Sequence, residues 1–404
     1  MVKPTVFIGF AEALSAPEVA WSLVDQGFKV VAFTRKGRRP ALRHSNFVSI
    51  LEITPPEVDV GQTLRDLAVA TSSLSSGSET PVAVMPLDDS ALWLCGRYGV
   101  FGRARLAGPE GPALDLALDK RKQLSLAHEA GFMVPSFRCI DRTGDIVERQ
   151  VEFPLVFKPA LAAREIDGGL SRSHGWICSD WVELQSALSK WGGKEPMILQ
   201  QFISGVGEGI FGLAKDDGIV AWSSHRRLRM MNPQGSGSSA CKSGFPIDKE
   251  IRLCAERFLK GCNWRGLFMI ELLRDPSEKL WFIEFNGRAW GSMALARRLG
   301  FEYPAWSVQM TLDSNASPAI PEQPISDITC RHLGREILHL LFVMRGSSSK
   351  ALIGWPSIWT ALSQVCRIGR NDRWYNWRRN DPKVFVSDLF GTLKSHFVGA
   401  KTKR

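Results

Sequence analysis

The sequence predicts a mixed fold, α/β at the N-terminus and α+β beyond it. Three observations predict it. A buried strand, a capped helix and a second buried strand follow one another over residues 5–35, the unit from which parallel sheets are built. Strand-like runs joined by glycines fill 196–231, and a hairpin follows over 265–286. The end of the chain, 313–404, reads as a mainly helical extension with a Trp-rich middle.

Each element follows from its residues. "TVFIG" (5–9) is a short apolar run. "SAPE" (15–18) opens a helix: Ser15 is placed to cap it, Pro17 suits the first turn and Glu18 sits at the capping-box position. The helix ends at Gly27, and "KVVAFTR" (29–35) is the next strand. The turn "GFAEAL" between them lacks the GxGxxG glycines, which sets a nicotinamide-binding domain aside. "PVAVMPLDDSALWLC" (81–95) is another strand and helix, with Asp88 and Asp89 at the strand's C-terminal end. Ligands sit there in open α/β sheets, and helix N-caps do as well, so both roles stand. The Gly- and Pro-rich start of "AGPEGPALDLALDK" (107–120) marks a domain boundary, and a helix runs on to Gly131. "FPLVFKPA" (153–160) is a strand ending in Lys-Pro, followed by a polar, glycine-bearing loop over 162–175. "GIVAWSSHRRLRMM" (218–231) is a strand that turns basic, and "NPQGSGSSACKSG" (232–244) reads as a flexible loop. A helix covers 248–261, and no internal repeat is present.

At 404 residues the chain is long enough for two or three domains. Its 44% hydrophobic and 23% charged residues are those of a soluble globular protein. The net charge of +10 reads as solvated surface or as attraction for an anionic ligand such as a nucleotide. The C-terminal segment is the most basic, with Arg367, Arg370, Arg373, Arg378, Arg379, Lys401, Lys403 and Arg404. It carries no nucleic-acid-binding motif, and no nucleic-acid partner is expected. The eight cysteines form no CxxC pair, so neither a zinc site nor a disulfide framework is expected, and reduced thiols point to the cytoplasm. No signal peptide is read at the N-terminus, and no apolar run reaches the roughly 18 residues of a membrane span. Trp355, Trp359, Trp374 and Trp377 are expected to pack the C-terminal extension, an aromatic wall for a substrate being the alternative. Oligomeric state stays open, with 313–404 as the surface for a possible homodimer.

The chemistry concentrates in "WFIEFNGRAWGS" (281–292). Glu284, Asn286 and Arg288 alternate, which puts them on one face of a strand. Upstream, "GLFMIELLRD" (266–275) carries Glu271, and "DPSEK" (275–279) has the turn chemistry to fold the two strands together. Glu271 and Glu284 then face each other. Two carboxylates and an amide oxygen repel one another unless a positive charge lies between them. They are hard oxygen ligands of the kind Mg²⁺ takes while sharing itself with substrate phosphates. Arg288 on the same face suits the phosphate oxygens. Surface ion pairs on an exposed edge are the alternative, but the apolar flanks of Glu271 argue against it.

These motifs resemble those of the ATP-grasp superfamily, in the family's order and over roughly residues 1–310. "ALDK" resembles the approach to the nucleotide site and implies that Lys120 contacts ATP phosphates. "FPLVFKPA" resembles the strand whose lysine, here Lys158, reaches the α- and β-phosphates. "ILQQFISG" resembles the hinge, which implies that Gln200, Gln201, Phe202 and Ile203 line the base and ribose. The hairpin resembles the metal-binding ribbon, with Glu271, Glu284 and Asn286 as ligands of Mg²⁺ (or Mn²⁺) and Arg288 on the transferred phosphate. The resemblance implies a Rossmann-like pre-ATP-grasp domain over 1–110, a small lobe over 111–195 and a large lobe with the metal site over 196–312. The extension over 313–404 then follows this core. The loop after Lys158 departs from the family in lacking a dense glycine run, and the hinge has Gln200 and Gln201 where many relatives have a carboxylate.

The implied activity is ATP-dependent joining of a small-molecule carboxylate to an amine through an acyl phosphate, releasing ADP and phosphate. Other nucleophiles, carbamoyl or carboxy-phosphate chemistry, and a non-catalytic ATP-binding module are the alternatives. A carboxylate attacking a γ-phosphate is anion meeting anion, so cations must gather both. Alternation on the basic strand puts His225, Arg227 and Arg229 on one face and Arg226 on the other. Arg227 and Arg229 are expected to hold the acyl phosphate or the substrate carboxylate. His225 is the one histidine placed near the chemistry, there to handle a proton or, as is commoner, simply to hydrogen-bond a neighbour. The 232–244 loop reads either as a mobile lid carrying Lys242 or as plain surface. Cys241 within it is given no role.

Overall fold

The computed structural model describes residues 4–75, 81–97, 104–146, 148–172, 174–244, 247–322, 325–347, 349–352 and 354–401. Lys403 and Arg404 of the basic C-terminus lie outside them. The N-terminal part is a five-stranded parallel sheet in the order Val48–Ile53, Lys29–Arg35, Thr5–Gly9, Val82–Pro86, Ala104–Leu106. Continuous apolar strands such as Thr5–Gly9 are buried along their whole length, as strands covered on both faces must be. Order in the sheet reverses at Thr5–Gly9 and Val82–Pro86, so a crevice opens beyond their C-terminal ends, where Asp88 and Asp89 follow.

Two antiparallel sheets form the rest of the core. The smaller has four strands, ordered Trp176–Cys178, Leu155–Pro159, Met197–Gln201, Phe137–Ile140. The larger has seven: Leu280–Asn286, Gly266–Arg274, Val206–Lys215, Gly218–Asn232, Ser236–Lys242, Thr329–Arg331 and Asp372–Trp374. The last two come from the C-terminal extension. That segment is mainly helical, with helices Leu333–Arg345, Ile358–Cys366 and Pro382–Lys401, but it also completes the large sheet. Among the described residues no helix is long and apolar enough to cross a membrane.

Several expectations from the sequence are corrected. Residues 232–244 are not a loose lid. Ser236–Lys242 is an interior strand, paired on one side with Gly218–Asn232 and on the other with Thr329–Arg331. Ser239, Ala240 and Cys241 are fully buried. Small residues read as flexible in isolation, but here they allow two neighbouring strands and the helix Leu333–Arg345 to approach. Lys242 pairs with Asp327 at 2.7 Å. The 162–175 loop contains a small hairpin, Arg164–Ile166 with Gly169–Ser171. It is tied to the N-terminal part by backbone bonds from Val60 to Gly168 and from Leu170 to Pro56. Ser15 makes no side-chain cap, and Glu18 forms no capping box. The buried Glu18 instead accepts from Arg297 at 2.8 Å, Arg298 at 3.0 Å and the Asn376 amide at 3.1 Å, joining three distant parts of the chain. Of the four tryptophans, Trp359 is 78% exposed, while Trp377, though 45% exposed, packs edge-on against Phe385 of the extension.

The strand assignment of 236–242 has a direct test. Amide hydrogen exchange is expected to protect residues 238–242 to the same degree as 221–227, on a timescale of minutes or longer. Exchange within seconds across 238–242 restores the lid reading.

Candidate active site

The ribbon forms as its residues require. Asp275 accepts the Ser277 and Lys279 amides at 2.8 and 3.0 Å and so closes the turn. The register then puts Glu271 directly opposite Glu284, and Met269 opposite Asn286. An irregularity between Glu271 and Leu272 leaves Ile283 without an opposite number. Phe282 and Phe285 are buried in the core, while Glu284 and Asn286 share the other face. The sequence predicted this juxtaposition.

Each carboxylate has a cation. Lys120 Nζ lies 3.3 Å from Glu284 Oε1, and Arg227 donates a hydrogen bond to Glu271. Burial pushes the Glu284 carboxyl up, but the charges of Lys120 and Lys158 outweigh it and hold the group below the usual carboxylate range. Burial also pushes the Lys158 ammonium down to about 8, with Glu284 pulling the other way. Among the described residues no cluster of three or more His, Cys, Asp or Glu side chains forms a metal site. Glu271, Glu284 and Asn286 offer two carboxylates and an amide oxygen, hard oxygens of the kind a divalent ion takes together with water or phosphate.

Lys120 is held by groups the sequence did not single out. It opens the helix Lys120–Glu129, which Asp119 caps by accepting the Arg121 amide at 2.9 Å. Buried Gln123 donates to the carbonyls of Leu116, Ala117 and Phe285 at 3.0–3.1 Å and accepts the Phe285 amide at 3.0 Å. Its amide thus fixes the helix against the strand that carries Glu284. Gly207 makes room for Arg227: a Cβ there would sit 2.6 Å from Arg227 Cδ, in the path the side chain takes to Glu271. The alternating glycines of "GVGEG" were the available signal.

A cleft of about 880 Å³ runs between the two antiparallel sheets, within the range of small-molecule sites. Lys158, Arg227 and Glu271 border it. Gln200, Gln201, Phe202 and Ile203 line it together, with Leu273 and Ile283. Gln200 is buried and Gln201 exposed. Trp355 also borders the cleft, and its indole donates to the Val343 carbonyl of the extension at 3.1 Å.

Two expectations do not hold in place. Arg229 is turned away from the cleft: it donates to buried Glu336 at 3.1 and 2.9 Å, and Glu336 also binds Arg331. The cause is a register shift between Arg227 and Arg229, which puts them opposite the adjacent residues Cys241 and Ala240 and so on opposite faces. His225 is buried, with Nδ1 2.8 Å from Ser292 Oγ; burial and the charge of Arg227 push it down to about 3, so it is neutral and no proton carrier near pH 7. Burial pushes the Cys241 thiol up to about 12 beside Tyr375, which agrees with its having no role.

Arg288 extends from the end of the strand to the N-terminal part. Its Nε donates to Asp89 at 2.5 Å and its Nη1 to the Ala289 carbonyl at 3.1 Å. Asp88 is the helix cap, accepting the Ala91 amide at 2.8 Å. The cap role that the sequence left open thus falls to Asp88, while Asp89 pairs with arginines.

No family profile and no curated protein matches the sequence. Solved structures do. An L-amino acid ligase from Bacillus licheniformis is 18% identical, with a TM-score of 0.54 over 80% of this chain and 75% of that one. N5-carboxyaminoimidazole ribonucleotide synthetase from Thermus thermophilus is 16% identical, with a TM-score of 0.59 over 80% and 82%. Biotin carboxylase from Campylobacter jejuni is 14% identical, with a TM-score of 0.57 over 80% and 74%. These are ATP-grasp enzymes, and the chain has the ATP-grasp fold.

The environment of Lys158 makes a prediction. Trace acylation with acetic anhydride, read peptide by peptide, is expected to titrate Lys158 near pH 8, protonated below and reactive above. Surface lysines titrate near 10.4. A Lys158 midpoint there contradicts the buried, cation-flanked site.

Proposed function

We propose that this chain is an ATP-dependent ligase that activates a carboxylate as an acyl phosphate and passes it to an amine. The observation that carries the reading is the facing pair Glu271 and Glu284 with Asn286, beside a cleft of nucleotide size and flanked by Lys120 and Lys158. In this reading Gln200, Gln201, Phe202 and Ile203 hold the base and ribose. Lys120 and Lys158 neutralise the phosphates, and Lys158 needs the proton it keeps below about pH 8. Glu271, Glu284 and Asn286 hold Mg²⁺ or Mn²⁺, which when bound spreads the charge that builds on the phosphates.

A substrate carboxylate oxygen attacks the γ-phosphorus, and the bond to the ADP oxygen breaks. The amine then attacks the acyl carbon, phosphate leaves, and the amine's proton passes to solvent. Arg288 and Arg227 face the negative charge of the transferred group, and such preorganised donors supply much of the rate. Arg229 is left out, since Glu336 holds it. The eight unpaired cysteines fit a reducing cytoplasm. A second reading takes bicarbonate as the acid; the likeness to biotin carboxylase and to a carboxyaminoimidazole synthetase favours it.

A screen of acids, bicarbonate included, against amines with phosphate release as readout tests the reading. At least one pair is expected to release ADP and phosphate together, and Glu284→Gln to lower turnover by about 100-fold or more, comparable to losing a strong electrostatic group. A variant that keeps wild-type turnover removes the metal assignment. Tight ATP binding with no productive pair makes the chain a binding module instead.

A further inference from the structure

We infer that Asp89 is a positioning residue that aims Arg288 at the terminal phosphoryl group and links that aim to the 164–172 hairpin. The inference rests on the ATP reading above and adds to it a residue from the N-terminal part. Asp89 begins the helix Asp89–Arg97 and is 8% exposed. It is not needed as the cap, since Asp88 accepts the Ala91 amide. Its carboxylate is committed to two arginines from elsewhere in the chain. Oδ1 accepts from Arg288 Nε at 2.5 Å, and Oδ2 accepts from Arg172 Nη2 at 2.9 Å. Burial pushes Asp89 up, but Arg288 and Arg172 outweigh it, so the carboxylate stays charged.

The geometry says what this does. A guanidinium is planar and rigid, so fixing two of its nitrogens fixes the direction of the third. Asp89 holds Nε and the Ala289 carbonyl holds Nη1. Among the described residues, Nη2 has no hydrogen-bond partner, and it is the edge left for a ligand. Arg288 lies two residues beyond Asn286 and senses the charge of Glu284, so the open edge belongs to the proposed phosphate end of the site.

Arg172 brings in the hairpin. It follows Ser171 directly and is half exposed, 51% at the side chain. The same hairpin meets the N-terminal part through the Val60–Gly168 and Leu170–Pro56 backbone bonds. Asp89 is therefore the point where the N-terminal sheet, the hairpin after Lys158 and the metal strand meet through one carboxylate. A hairpin displaced from this position takes Arg172 with it and leaves Arg288 with a less constrained partner.

The test compares nucleotides with and without a γ-phosphate, so it needs no knowledge of the acid or amine. Binding of ADP and of a non-hydrolysable ATP analogue, each with Mg²⁺, is measured by calorimetry. The proteins are wild type, Asp89→Asn, Asp89→Glu, Arg288→Ala and the Asp89→Asn/Arg288→Ala double variant, with melting temperatures recorded alongside. Asp89→Asn is expected to weaken the ATP analogue about 5- to 30-fold and ADP less than about 2-fold, with Asp89→Glu restoring part of the loss. In the Arg288→Ala background Asp89→Asn is expected to add no further selective loss, because a residue acting through another has nothing left to act on. Equal weakening of both nucleotides, or the same selective loss without Arg288, overturns the inference and leaves the ATP reading standing. Unchanged binding in Asp89→Asn does the same. A wild-type protein that binds neither nucleotide overturns the ATP reading, and this inference with it. If Asp89→Asn does not fold, the comparison is made with Asp89→Glu and Arg172→Ala: a selective loss of the ATP analogue in either supports the inference, and its absence in both overturns it.

Discussion

Two like charges placed opposite each other across adjacent strands organise this molecule. Residues paired directly in an antiparallel ladder have Cα atoms only about 4.5–5.5 Å apart, and like charges there destabilise the sheet. Glu271 and Glu284 occupy such a pair. The rest of the site answers that repulsion. Arg227 crosses over Gly207 to reach Glu271, and Lys120 is held at the start of a helix to reach Glu284. Lys158 stands close enough to lower the Glu284 carboxyl while losing part of its own hold on a proton. In the ATP reading Glu271, Glu284 and Asn286 would hold a divalent ion, and Lys120 and Arg227 would then be free to meet phosphate oxygens.

The supporting structure is mostly ionic and amide contact between segments far apart in sequence. Gln123 ties the lysine-bearing helix to the strand that carries Glu284 through a fully bonded amide. Asp89 ties Arg288 to the N-terminal part. Glu18 joins the first helix to Arg297, Arg298 and the C-terminal extension. Breaking a buried pair of this kind typically costs about 3–5 kcal/mol, because the remaining charge is left uncompensated. The N-terminal and C-terminal parts are thereby held in fixed relation to the ribbon, and the C-terminal strands close the large sheet directly.

What was legible in the sequence was what short-range pattern encodes. Alternation located Glu284 and Asn286, the turn chemistry of Asp275 gave the hairpin, and the register that opposes Glu271 to Glu284 followed. The parallel sheet was readable from apolar runs and a Pro-started helix. What failed depended on partners the sequence does not name. Ser239–Cys241 looked flexible because small residues carry no strand signal until neighbours occupy both sides. Simple alternation misplaced Arg229, since one register shift before it turns it over and a second, between Arg229 and Met230, turns the strand back. Glu18 fitted a local capping box, yet two arginines some 280 residues away claimed it. Gln123 and Arg172 act on partners 162 and 83 residues away, and nothing local distinguishes them, whereas Asp89 was marked by its place at a strand's end but not by its partner.

The account turns on whether the ribbon holds a divalent ion against a nucleotide. The most direct measurement is anomalous diffraction at the manganese edge from crystals grown with Mn²⁺ and a non-hydrolysable ATP analogue. The account predicts a peak bound by oxygens of Glu271, Glu284 and Asn286 at distances of about 2.0–2.4 Å, bridging to the nucleotide's phosphates. A nucleotide in the cleft with its manganese bound elsewhere, or with Glu271 and Glu284 still paired only to Arg227 and Lys120, contradicts it.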